Sequence, residues 1–199
     1  MCALLAIAAD RNRRRRSFHL LKPLTTLLIV AVAAVASPAS EGYQNWILLA
    51  LVLSLAGDIC LMFPGSRWFA AGLATFLLAH LAFIAAFLHQ LSVVALPGWL
   101  AVVALYAGAL LWILLPRSGA LKLPVLLYCT VLAGMVFAAA GRYESLATRE
   151  ALLALSGALL FMVSDSLLGV RQFVRRYQHA QALILSTYWM ALGLIAWSI

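Results

Sequence analysis

Apolar residues run along this chain in long blocks separated by short polar or Pro/Gly-containing breaks. Seven blocks reach membrane length, at about 19–36, 46–63, 68–89, 93–115, 120–140, 150–170 and 180–198. A hydrocarbon core roughly 30 Å thick takes about 20 helical residues to cross. Backbone polar groups find no water there, so each span must be a helix or part of a closed barrel. Barrel strands alternate polar and apolar positions, whereas these blocks are apolar all round, so the pattern predicts helices. The breaks carry loop chemistry: Ser37-Pro38-Ala39-Ser40-Glu41-Gly42, Pro64-Gly65-Ser66, Pro97-Gly98 and Pro116-Arg117-Ser118-Gly119. Pro97-Gly98 also fits inside the start of the fourth block. Pro23 and Pro124 fall near helix starts, where a missing N–H does little harm.

Composition supports the bilayer as solvent. Of 199 residues, 66% are hydrophobic and 10% charged, against about 25% charged in a soluble domain. Every connection is short, which leaves one transmembrane domain over 19–199 and an N-terminal stub over 1–18. The predicted fold is therefore all-α: a polytopic transmembrane helix bundle with seven full spans.

The net charge of +8 invites a nucleic-acid reading, but its placement favours topology. Arg11, Arg13, Arg14, Arg15, Arg16 and Lys22 precede or open the first block. Alternation from there puts Arg67, Arg117, Lys122, Arg171, Arg175 and Arg176 on the same side, and only Arg142 and Arg149 opposite. The positive-inside rule makes the crowded side cytoplasmic and turns the C-terminus outward. No nucleic-acid partner is expected. Met1–Ala9 is apolar but too short to span, and its positive charges follow it, the reverse of a signal peptide. It reads as the tail of a short or truncated eighth helix, with an unstructured stub as the alternative. Cys2, Cys60 and Cys129 form no CxxC pair and read as small buried hydrophobes.

A faint repeat runs through the chain. Lys22-Pro23-Leu24 opens one helix and Lys122-Leu123-Pro124 opens another four helices later. Gly57-Asp58 ends the next helix of the first set, and Ser164-Asp165 ends its counterpart. Such parallel halves occur in some transporters.

Ionisable groups inside a membrane are costly and are functional candidates by default. The only acids within the blocks are Asp58 and Asp165, each five residues from the cytoplasmic end of its block, about 7 Å of helix. Ser54, Gly57, Asp58 and Leu61 share one helical face, as do Gly157, Phe161, Ser164, Asp165 and Leu168. Close packing at the glycines predicts facing aspartates. Two such carboxyls do not both ionise readily, so one would be a neutral acid and the other a base. The bland alternative is that each pairs with a base such as Lys22 or caps a helix. His80 shares a face with Phe69, Gly72, Phe76 and Phe83. Twelve residues in from Trp68, about 18 Å, it is deeper than the aspartates, so it reads as packed core without direct contact to them. Tyr128 and Tyr188 can reach the interior, although packing or interfacial roles are commoner. His19, His89 and His179 fall near block ends on differing sides, so no metal and no cofactor are expected. No GxSxG or Walker-type motif is present.

Lys22-Pro23, Ser54-x-x-Gly57-Asp58, Phe69-x-x-Gly72-x-x-x-Phe76-x-x-x-His80, Pro124-Val125-x-x-Tyr128, Gly157-Ala158-x-x-Phe161-x-x-Ser164-Asp165 and Thr187-Tyr188 together resemble the YhhN family of membrane proteins, from about Lys22 to Trp197. Characterised members of that family are lysoplasmalogenases with an expected eight spanning helices. This chain departs from it in its short first helix and in Met190-Ala191-Leu192, where a polar residue is expected. The resemblance implies Asp58 and Asp165 as catalytic and Lys22, Ser54, His80, Tyr128 and Ser164 as substrate-binding. It also implies hydrolysis of the vinyl ether of a lysophospholipid-like substrate drawn from membrane lipids, with the phosphate attracted by Lys22 and the cytoplasmic arginines. A bacterial inner membrane is the expected location. The competing readings are a lipid or proton-coupled transporter and a structural membrane subunit. Few Gly or Pro residues interrupt the helices as a broken-helix transport site would require.

Overall fold

A computed structural model describes residues 2–3, 15–91 and 97–199, and the described residues form helices joined by short turns, with no strand among them. Residues 4–14 lie outside this description, and with them most of the expected N-terminal stub. Seven helices follow: α1 Arg15–Val35, α2 Glu41–Cys60, α3 Ser66–Leu88, α4 Leu100–Leu114, α5 Lys122–Leu146, α6 Arg149–Phe173 and α7 Ala180–Ala196. Two 3-10 turns, Leu115–Arg117 and Gly119–Leu121, join α4 to α5.

Five of the helices, counting the adjoining 3-10 turns with α4 and α5, are long and apolar enough to cross a membrane. The apolar parts of α1 and α7, His19–Val35 and Ala180–Ala196, are shorter. Large apolar side chains cover the outside: Leu105, Trp112, Leu123 and Trp197 are all more than 60% exposed. A surface of that kind requires lipid, so the chain is an integral membrane protein.

Helix starts show local chemistry that hydropathy alone missed. Ser40 caps α2 by accepting from the Tyr43 amide, with Glu41 in the first turn, so α2 begins five residues before its apolar block. Thr148 and Glu150 do the same for α6. Pro97-Gly98 stands in the turn before α4, which starts only at Leu100.

Packing is closest between α2 and α3 and between α6 and α7; α3 meets α5, and α1 meets α7. The glycines explain the close pairs. A Cβ on Gly57 would stand 2.6 Å from the Phe76 ring, and one on Gly157 would stand 2.8 Å from the Ala191 carbonyl oxygen. One large core, including Phe83, Phe87, Met135, Phe161 and Leu192, runs through the bundle. A small separate cluster, Leu110, Leu114, Val125 and Cys129, packs the later half of α4 against α5. Arg142 is satisfied by donating to the Phe87 and His89 carbonyls at the end of α3 while stacking 4.2 Å over the Tyr43 ring.

Candidate active site

Asp58 stands two residues before the end of α2 and is 2% exposed. Lys22, on α1, places its ammonium 3.1 Å from Asp58 Oδ1 and donates to the Asp58 main-chain carbonyl at 3.3 Å. The other carboxyl oxygen, Oδ2, accepts from Thr26 at 2.7 Å and from the Tyr188 hydroxyl at 2.9 Å. Thr26 in turn accepts from the Trp189 indole at 3.3 Å. The expected pairing of an aspartate with Lys22 is thus present, and both oxygens of Asp58 are engaged. Lys22 is itself buried and lines the same cavity as Asp58 while holding this pair.

Asp165 has a different setting. Its Oδ2 accepts from the Tyr128 hydroxyl at 2.5 Å and faces His80 Nε2 at 3.5 Å. No Lys or Arg nitrogen lies within 4 Å of it among the described residues. Both contacts fall on Oδ2. The His80 contact corrects the sequence-based reading that put this histidine too deep. Helix α6 continues to Phe173, so Asp165 is eight residues, about 12 Å, from its end rather than about 7 Å. The His80 ring is fully buried and packs edge-on against Tyr128 and Phe161.

The two carboxyls do not bond to each other, but they line one cavity of about 340 Å³. Leu61, Phe76, Ser164 and Tyr188 form other parts of its wall, and Arg171, Gln172, Arg176 and Gln181 carry polar groups into it. Arg171 is held by a hydrogen bond to Gln181. Ser164 lines the cavity but donates to the Ile184 carbonyl at 3.0 Å, tying α6 to α7. Ser54 is fully buried, donates to the Ala50 carbonyl of its own helix and does not line the cavity.

The partners are exchanged between halves. Taking α1–α4 and α5–α7 as the halves of the repeat, each aspartate takes one partner from the preceding helix of its own half: Thr26 for Asp58, Tyr128 for Asp165. Each takes another contact from the third helix of the other half: Tyr188 on α7 for Asp58, His80 on α3 for Asp165. Thr26 and Gln181 were not singled out for the site from sequence, Arg171 and Arg176 only among the cytoplasmic arginines, and Tyr188 only as a residue able to reach the interior. Thr26 had a usable signal, since it stands one helical turn beyond Lys22 on the same face.

No group of three or more His, Cys, Asp or Glu residues is placed to hold a metal among the described residues. The arrangement offers a carboxylate with a countercharge, a second carboxyl without a Lys or Arg partner among the described residues, and two arginines, all around one space of about 340 Å³ between apolar helices.

A Mycobacterium bovis protein named lysoplasmalogenase is 38% identical over 156 residues, covering 74% of this chain and 57% of the relative. The human lysoplasmalogenase TMEM86B is 34% identical over 181 residues, covering 90% of this chain and 74% of the relative. The pig protein of that name is 36% identical over 177 residues, covering 86% and 70%. The chain thus spans a little over half the length of the mycobacterial relative. No solved structure matches it. The YhhN family matches residues 17–199, which include every residue of the cavity, and the chain belongs to that family.

Proposed function

We propose that this protein hydrolyses the vinyl ether bond of lysoplasmalogens, giving a fatty aldehyde and a glycerophospho-headgroup, with Asp165 as the acid and Asp58 as the carboxylate. The observation that carries this reading is the pair of unlike carboxyls on one cavity, in a chain whose relatives bear the name lysoplasmalogenase. Asp58 has an ammonium and two hydroxyl donors, a full set for an anion. Asp165, which lines the cavity and has no Lys or Arg partner among the described residues, is assigned the transferable proton.

A vinyl ether is cleaved by protonation of its β-carbon. The double-bond electrons form the new C–H bond, and positive charge appears on the carbon bonded to oxygen. The nearby Asp58 carboxylate steadies that cation and takes a proton from the water that adds to it. Asp58 passes that proton to the ether oxygen as the hemiacetal C–O bond breaks, the hydroxyl proton goes to Asp165, and the aldehyde and the headgroup alcohol leave with both carboxyls restored. Lys22, Arg171 and Arg176 all line the cavity and are the candidates for holding the phosphate. Seven spans with the arginine-rich ends inside a bacterial inner membrane complete the proposal.

Purified protein in detergent should release aldehyde from a lysoplasmalogen and leave an ester-linked lysophospholipid uncut, since ester cleavage needs attack at a carbonyl. Wild-type protein that releases no aldehyde but moves protons or lipid across liposomes would replace this reading with transport.

A further inference from the structure

The polar cavity leaves part of the substrate without a place. Its 340 Å³ lies near the low end of the roughly 300–1,000 Å³ of ordinary ligand sites, and its arginines and glutamines suit a headgroup rather than a long hydrocarbon chain. A second space meets it at Asp165. This is an apolar crevice between α3, α4, α5 and α6, lined by Leu73, Leu110, Leu114, Leu132 and Phe173 among others. Phe69, Asp165 and Leu168 belong to the walls of both spaces, whereas Asp58 belongs to the polar one alone.

We infer that this crevice takes the hydrocarbon chain of the substrate, an inference that rests on the hydrolase reading above. The chemistry requires such a boundary. The carbon that accepts the proton is the second carbon of the chain, so the acid must stand where chain meets headgroup. Asp165 stands at that junction, with Tyr128 also on the crevice side. As it stands the crevice holds only about 40 Å³, so the chain has to part its walls. The walls that give are those of α4. The later half of α4 is held by the small cluster of Leu110, Leu114, Val125 and Cys129, which is separate from the main core, while Trp112 on the same stretch is 78% exposed. A chain entering sideways from the bilayer displaces that cluster and leaves the core intact.

A second apolar groove, between α1 and α7, is larger at about 630 Å³ and is lined by Leu28, Val32, Met190 and Trp197. It shares no lining residue with the cavity, and Thr26 and Trp189 stand between it and Asp58. It therefore serves as the control surface.

The test uses full-length protein in lipid nanodiscs and an alkyl-ether lysophospholipid, which cannot be hydrolysed, with a diazirine midway along its chain. Photolabelling should fall on α4 and α5, around Leu110, Leu114 and Val125. Turnover should be compared between octadecenyl and hexenyl vinyl ethers in wild type and in Leu110→Trp. Filling the crevice should lower kcat/KM for the long chain by about 10-fold or more while sparing the short one. Labelling confined to Leu28, Met190 and Trp197 overturns the inference even if the variant misfolds, and so does an equal loss on both chains in a folded variant. Labelling at Leu110 and Leu114 without any wild-type aldehyde release keeps the crevice as a chain site and removes the hydrolase reading.

Discussion

The carboxyls of Asp58 and Asp165 are chemically identical and differ only in their neighbours, and the neighbours make separate predictions for each. Asp58→Asn and Asp165→Asn keep side-chain size but remove proton exchange. Either should cut vinyl ether cleavage by at least about 100-fold, and the double variant should be little worse than either single. Aldehyde-release assays on variants with normal detergent gel-filtration profiles decide this, and near-normal activity would end the catalytic reading. Lys22 gives a stability test. Lys22→Met leaves a 2% exposed carboxylate without its countercharge, a loss on the order of 3–5 kcal/mol. Adding Asp58→Asn should recover most of the lost melting temperature, because the stranded charge is gone; no recovery would mean that Lys22 acts mainly through the Asp58 carbonyl. Both aspartates were legible from sequence because acids are so rare in these blocks. Their partners were less so: Thr26 and Tyr188 are ordinary residues in apolar helices, and only packing brings them to Asp58.

Helices were legible as apolar blocks, but their ends depend on side-chain chemistry that hydropathy does not weigh. Ser40 and Thr148 set the starts of α2 and α6, and α6 runs on to Phe173, past the end of its apolar block. Glycine positions give a test at this scale. Gly157→Ala puts a methyl 2.8 Å from the main-chain oxygen of Ala191, which cannot move without shifting α7, so a destabilisation of about 1–3 kcal/mol is expected. Gly134→Ala meets only Ile84 Cδ1 at 3.6 Å, an ordinary contact, and should stay within about 0.5 kcal/mol of wild type. Thermal unfolding of the two variants in one detergent compares them directly; equal melting temperatures would show that the α6–α7 approach is looser than described.

For the whole molecule, the distribution of Lys and Arg predicts that a tag on the C-terminus reports the outer side and that the 64–67 and 116–122 turns face the cytoplasm. Cysteine-accessibility labelling in intact cells checks this, and a cytoplasmic C-terminus would remove one span. The repeat was visible in sequence as two helix openings and two aspartates, but the exchange of partners between halves was not, because it arises where α3 reaches α6 and α7 reaches α2. That exchange bears on how the protein is made. Synthesis delivers α1 and α2 first, and Lys22 can enter the bilayer already neutralising Asp58, which lowers the cost of inserting either charge. When α6 follows, His80 and Tyr128 are in place to receive Asp165. Tyr188 arrives later, on α7, so Asp58 gains that donor only once α7 has been made. A ribosome halted before α7 would therefore leave Asp58 held by Lys22 and Thr26 alone, with its charge already neutralised but its cavity wall unfinished.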